Sequence, residues 1–332
     1  MIEKIIASWK KKEYKPIYWL EGEEVYYIDK LCNYAEDNLL TDAEKAFNLT
    51  ILYGKDAEWQ QVVNACKRYP MQSDLQVIIV KEAQLLKDIE KIESYVEKPL
   101  NSSVLIIAYK NKKIDGRTKF SKTLKEKGEF HTYKKMYDDK LPEWTSNMIQ
   151  QKGLTINNKA LILLTQHIGN DLNRLENEVE KLQINLSSRK TITEDDIENY
   201  VGISKEYNIF ELQNALATKN LSKAIQIISY FGSNPKAAPM MLLLPTLYSY
   251  FSKLFLRFGL NTNDDKAIAS HIGVHPFMVK DYIKAANLYQ YAGVEKAILL
   301  LQHYNLKSIG INNGSATDSE LLKEMCVKII YG

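Results

Sequence analysis

Short runs of consecutive apolar residues alternate with helix-period stretches along the first 140 residues. Ile2, Ile5, Ile6 and Trp9 recur at i, i+3, i+4 and i+7, which predicts a first helix. Pro16 precedes Ile17-Tyr18-Trp19-Leu20, a short apolar run closed by Glu21-Gly22 that reads as a strand. A helix is expected over Glu23 to Leu40, with Val25, Ile28, Leu31, Cys32 and Ala35 on one side. Further strands are expected at Asn48–Tyr53, Val77–Val80 and Val104–Ala108, with a helix at about Glu58 to Arg68 before the second of these. Continuous apolar strands suit a parallel sheet covered on both faces, and alternation with helices implies right-handed βαβ units.

After residue 140 the strand pattern stops. Leu141-Pro142 opens a helix that Gly153 ends, and a second helix carries Ala160, Leu161, Leu163 and Leu164. Gly169 is the expected C-cap, Asn170 or Asp171 the next N-cap, and Leu172, Leu175, Val179 and Leu182 the apolar stripe of a third helix. Thr193-Glu194-Asp195-Asp196 resembles a capping box before Ile197–Val201. The last third reads as helices throughout: Phe210–Leu216, Leu221–Ile228, Met240–Phe258, Pro276–Leu288, Val294–Tyr304 and Ser319–Ile330. Met240–Phe258 is very apolar, but Pro245, Lys253 and its tyrosines argue for a buried helix over a membrane span. It serves equally as the core of a monomeric bundle or as a surface partly covered by neighbouring subunits. The expected architecture is an α/β sheet domain over 1–140, a small helical domain over 141–206 and a helical domain over 207–332.

One connection departs from the usual polar pattern. Between the Glu58–Arg68 helix and the Val77–Val80 strand lies Tyr69-Pro70-Met71-Gln72-Ser73, a short turn rich in apolar groups. Such a cluster either folds back as local core or marks a partner site.

Composition narrows the function. The chain has 332 residues, with 45% hydrophobic and 26% charged residues, ordinary for a globular protein of two or three domains. No run of about 20 apolar residues is present and the N-terminus has no signal-like pattern, so a cytoplasmic protein without a membrane partner is expected. Cys32, Cys66 and Cys326 are odd in number and widely spaced, which points to reduced thiols. The net charge is only +3, yet Lys110–Lys140 holds eleven Lys and Arg against five Asp and Glu, a net of +6. That segment reads either as a solvated face or as a patch for DNA phosphates, with Lys110, Lys112, Lys113, Arg117, Lys119 and Lys122 as candidate contacts.

Candidate chemistry fails by absence. A phosphate loop would read G-x-x-x-x-G-K-[ST] between strand and helix. The only place for one, Leu20-Glu21-Gly22-Glu23-Glu24, has one glycine and two carboxylates at the helix start, so that turn is expected to be capped by its own acids. Lys81-Glu82 stands where an acidic pair would hold magnesium. His131, His167, His271, His275 and His303 do not cluster, and no metal motif is present. No catalytic, cofactor-binding or metal residues are assigned.

The run Gly169-Asn170-Asp171-Leu172-Asn173-Arg174-Leu175-Glu176-Asn177-Glu178-Val179-Glu180-Lys181-Leu182 resembles the signature of the bacterial DNA polymerase III delta subunit family. The Thr193 capping box, Val201-Gly202, Tyr207–Leu212 and the start Ile17–Glu24 fit the same family. The resemblance implies an AAA+-like parallel sheet with a degenerate nucleotide site, a helical lid and a helical collar. It implies a non-catalytic clamp-loader subunit of the polymerase III holoenzyme. Its partners would be the sliding clamp, other loader subunits and primed DNA, with ATP bound by the partner subunits and no cofactor of its own. The family meets its clamp through an apolar tip, which falls here on Tyr69, Pro70 and Met71; Pro70-Met71 departs from the family's frequent Leu-Phe. Near the end of the chain, Asn305 and Ile309 stand where the family usually has an acidic and a basic residue. Two other classes, an active AAA-type ATPase and a stand-alone nucleic-acid-binding protein using the 110–140 segment, need respectively a phosphate loop and salt-sensitive DNA binding without partners.

Overall fold

The computed structural model describes residues 2–187, 189–204, 207–234, 238–260, 262 and 264–332. The chain divides into two compact units, Met1–Met136 and Tyr137–Gly332. Residues 205 and 206, where the sequence pattern set the second domain boundary, lie outside the described residues.

The first unit runs α1 (Ile2–Lys10), β1 (Ile17–Gly22), α2 (Val25–Asn38), α3 (Asp42–Asn48), β2 (Leu49–Tyr53), α4 (Trp59–Lys67), β3 (Gln76–Lys81), α5 (Glu93–Val96), β4 (Ser103–Lys110), α6 (Lys119–Lys127) and β5 (Glu129–Tyr133). Short 3-10 turns at Ala83–Leu85 and Ile89–Ile92 fill the crossover before α5. All five strands are parallel, in the order β2-β3-β4-β1-β5. β1 is therefore internal and buried along its whole length.

Alternation along the strands feeds two cores. Tyr18, Leu20, Val77, Ile79, Val104 and Ile106 pack with α1 and α2 on one face. Ile17, Trp19, Ile78, Val80, Leu105 and Ile107 pack with α4, α5 and α6 on the other. Trp19 anchors the second core, with the rings of Tyr109, Phe120 and Phe130 at 5.2, 5.7 and 6.3 Å. Two of the expected elements are corrected here. The sheet has a fifth strand, β5, inside the basic segment. Asn48 ends the short helix α3, whose N-terminus carries a Thr41/Glu44 capping box, and β2 begins one residue later.

Among its described residues the second unit is helical apart from a two-residue parallel pair, β6 (Thr155–Ile156) with β7 (Thr191–Ile192). It contains α7 (Leu141–Gln151), α8 (Asn158–Ile168), α9 (Leu172–Asn185), α10 (Glu194–Asp196, continued by a π turn to Val201), α11 (Ile209–Ala217), α12 (Leu221–Ser233), α13 (Met240–Arg257), α14 (Asp265–Ile272), α15 (Val279–Ser308) and α16 (Asp318–Tyr331). Gly169 ends α8 with φ +71°, and Asp171 caps α9 by accepting from the Arg174 amide. The capping box at Thr193 closes on Asp196, as its sequence suggests. The buried faces of α11–α16 make one continuous core around Leu247, Phe251, Val279 and Leu301. The two helices expected at 276–304 are both present within α15 and meet at a kink at Gln290, whose φ of 57° and ψ of 172° break the helical geometry. The fold class is thus the expected one, a parallel α/β sheet followed by an all-helical region.

Candidate functional site

The turn between β1 and α2 is where a nucleotide would meet a sheet of this kind, and here it is closed by backbone. Gly22 leaves β1 with φ +126°. The next two amides, of Glu23 and Glu24, both donate to the Tyr133 carbonyl oxygen at the end of β5, at 2.9 and 3.2 Å. These are the donors that a phosphate group would need at a helix start. The expected capping by acidic side chains is corrected. Glu24 is the N-cap of α2 but makes no side-chain cap; its buried carboxylate accepts instead from the Met136 amide at 3.0 Å. Glu21, also buried, accepts from Trp19 Nε1, the Ile114 amide and Thr132 Oγ1 at 2.9, 3.0 and 3.1 Å, tying β1 to the β4–α6 loop and to β5.

At the C-terminal ends of β3 and β4 the chain carries its own ion pairs. Lys81 Nζ lies 2.7 Å from Glu36 of α2. Lys110 Nζ lies 2.7 Å from Asp29 of α2 and 2.8 Å from Glu82. Burial pulls the Lys110 pKa down, but its hydrogen bonds to Asp29 and Glu82 outweigh that and hold it above its ordinary value. The hydrogen bond from Lys110 holds Glu82 below the usual range. Lys110 therefore leaves the basic patch predicted from sequence, because two carboxylates already occupy its ammonium. Arg117 forks onto Asp115, with Nη2–Oδ2 at 2.7 Å, and Lys119 reaches Glu97 at 2.6 Å. Lys112, Lys113 and Lys122 are exposed, and no ion pair is formed by them among the described residues.

The turn after α4 has the opposite character. Tyr69 is 79% exposed and Met71 60%, with Pro70 half-buried between them. The main chain beneath them is held firmly. The Met71 amide donates to Asn48 Oδ1 at 2.7 Å, and Asn48 Nδ2 donates back to the Met71 carbonyl at 2.8 Å. Asn48 itself is buried. Upstream, Ser103 Oγ on β4 donates to the Cys66 carbonyl at 2.9 Å, fixing the last turn of α4. Downstream, Gln72 adopts a left-handed φ of 54° and the Leu75 amide donates to Ser73 Oγ at 3.3 Å. The three tip residues are thus brought together between α4 and β3, with the Tyr69 and Met71 side chains outward and Pro70 half-buried. The sequence pattern does not reveal Asn48; read as the first residue of the strand expected at Asn48–Tyr53, it gave no sign that it would serve a loop 23 residues away.

The fold is a five-stranded parallel α/β unit followed by a helical unit, with the β1–α2 amides held by the Tyr133 carbonyl. The family model for DNA polymerase III, delta subunit, matches residues 18–134. That for the DNA polymerase III delta subunit, C-terminal domain, matches 206–327. The chain is 26% identical to the DNA polymerase III subunit delta of Bacillus subtilis, over 98% of this chain and 95% of that one. It is 23% identical to the probable DNA polymerase III subunit delta of Aquifex aeolicus, over 72% and 69%. Its fold is similar to the solved Bacillus subtilis DNA clamp loader delta protein, with a TM-score of 0.59 and 23% identity over the whole of both chains. The chain belongs to the DNA polymerase III delta subunit family.

Proposed function

We propose that this chain works in a clamp loader, binding the ring-shaped sliding clamp through Tyr69, Pro70 and Met71 and stabilising its open form for loading onto primed DNA. Partner subunits bind and hydrolyse the ATP. The observation that carries the reading is the tip: two large apolar side chains stand in solvent on a main chain that is already fixed. An apolar side chain on a pre-ordered backbone is well suited to fill a pocket, since little freedom remains to be given up on binding. Met adapts its shape to such a pocket. The tyrosine carbonyl lodged in the β1–α2 turn supports the ATP-free part of the reading, because phosphate would have to displace it from both amides.

Affinity of the full chain for the clamp tests this. Met71→Ala and Tyr69→Ala are expected to weaken binding by about tenfold or more, with the melting temperature nearly unchanged. Clamp capture at the wild-type level together with a sharp fall in melting temperature would make the tip local core and end the proposal. Titration calorimetry with ATP is expected to show no micromolar binding; such binding would restore the ATPase reading. A DNA contact within the assembled complex is the secondary proposal, resting on exposed Lys112, Lys113 and Lys122. The stand-alone nucleic-acid module loses Lys110, which already holds two carboxylates, while Arg117 and Lys119 stay exposed in surface pairs of little strength.

A further inference from the structure

We infer that α3 is a bracket built to aim the tip, and that Asn48 is the residue that positions Met71 for capture by the clamp. The inference rests on the tip reading above. α3 is only seven residues long and ends at Asn48. Asn48 holds Met71 of the tip loop by two hydrogen bonds, and Glu44, one helical turn earlier, lines the same hollow as Ser73.

The Asn48 grip is two-pointed. One side-chain amide satisfies both main-chain groups of a single residue, so it fixes the orientation of the Met71 peptide units as well as their position. The Met71 side chain is left out of the grip and projects into solvent. A buried polar group must find partners. Asn48 commits its donor and its acceptor to a solvent-facing loop.

Glu44 secures the bracket itself. Its carboxylate accepts from the Thr41 amide and hydroxyl at 2.8 and 2.7 Å, which closes the capping box of α3. Ser73 lines the same hollow as Glu44, and its hydroxyl accepts from the Leu75 amide within the loop. The hydrogen bonds from Thr41 bring the Glu44 pKa down to about 2, so the capping box is charged and intact at neutral pH. Between Met71 and Ser73, Gln72 holds a left-handed conformation that an unrestrained glutamine rarely adopts. The loop has therefore been ordered before any partner arrives, and its ordering cost does not fall on the binding step.

The test combines clamp affinity with amide hydrogen exchange on the full chain, for wild type, Asn48→Ala, Met71→Ala, the double variant and Ser73→Ala. Asn48→Ala is expected to speed exchange at the Met71 amide while Ile78 and Ile79 in β3 keep their protection. It is expected to weaken clamp binding by about tenfold, the scale of re-ordering a few loop residues. In the Met71→Ala background the same change is expected to cost little more, because the side chain being aimed is gone. Ser73→Ala removes the acceptor of the Leu75 amide and so loosens the same loop without touching buried Asn48. It is expected to act in the same direction more weakly, and it decides the matter if Asn48→Ala fails to fold. Wild-type affinity in Asn48→Ala despite fast Met71 exchange would overturn the inference and leave the tip reading standing. So would an equal loss in the wild-type and Met71→Ala backgrounds, which would make Asn48 a general stability residue. Undiminished binding by Met71→Ala and Tyr69→Ala would remove the tip reading itself, and the inference with it.

Discussion

The carbonyl oxygen of Tyr133 sits so close to Gly22 that a Cβ on that glycine would lie 2.0 Å from it. The clash would be with backbone at the end of a strand, and Gly22 also needs its φ of +126°. Gly22→Ala is therefore expected to destabilise the sheet unit by on the order of 3 kcal/mol. A denaturant titration reads this directly; a midpoint equal to wild type would mean that β5 can move away from the turn at no cost.

Lys110 is expected to matter for stability. Lys110→Met leaves Asp29 and Glu82 without their shared cation, a loss of about 1–2 kcal/mol once the partial exposure of both acids is allowed for. The pH dependence has a definite sign. Glu82 has a lowered folded pKa, so its share is present above the ordinary glutamate range and is lost as pH falls through the lowered value. Lys110 has a raised folded pKa, so its share is present below the ordinary lysine value and is lost as pH rises through the raised one. The stability gap between wild type and Lys110→Met, measured by urea titration, should be widest near neutrality and narrow at both extremes. A gap that does not change with pH would show that the ion pairs contribute nothing.

DNA binding should separate the six basic candidates. Replacing Lys112, Lys113 and Lys122 together by Ala is expected to flatten the dependence of log K on log salt, by up to about 0.9 for each phosphate of duplex DNA left without its lysine. Lys110→Ala is expected to leave that slope unchanged. Filter binding of primed DNA by the assembled loader over a salt series provides the slopes, and a larger effect from Lys110 than from the trio would reverse the assignment.

Gln290 interrupts α15 with φ 57° and ψ 172°, a region that glycine occupies readily and other residues only under strain. Gln290→Gly is expected to raise the stability of the chain by about 1 kcal/mol. Thermal unfolding checks it; a lower melting temperature would show that the glutamine side chain contributes more than the backbone strain costs.

The four most apolar strands and most of the long helices are legible in the sequence pattern, because each carries a run or stripe that burial demands. β5 is not, since only Phe130 and Tyr133 of its five residues are strongly apolar and the lysines around it read as a charged segment. Gly128, which precedes it and could have signalled its start, packs against Ile17 with no room for a side chain. α3 is hidden because seven residues give too few turns for a periodic stripe. The tip is visible as an apolar turn, yet its two readings differ only in whether the side chains turn inward. The structure turns Tyr69 and Met71 outward, over a main chain held by Asn48, which sequence proximity does not connect to Met71. Lys110 groups with its basic neighbours because charge counts along a chain cannot see Asp29 and Glu82 across the sheet.

β5 also sets where the sheet unit can be cut. A fragment ending at Lys127 would strip the partner from one side of β1 and turn a wholly buried strand into an open edge, with Trp19 losing the Phe130 ring. It would also free the amides of Glu23 and Glu24 and leave the Glu24 carboxylate without the Met136 amide. The shortest N-terminal piece worth expressing for domain-level biochemistry therefore extends through Met136, and shorter ones invite edge-to-edge association in place of folding.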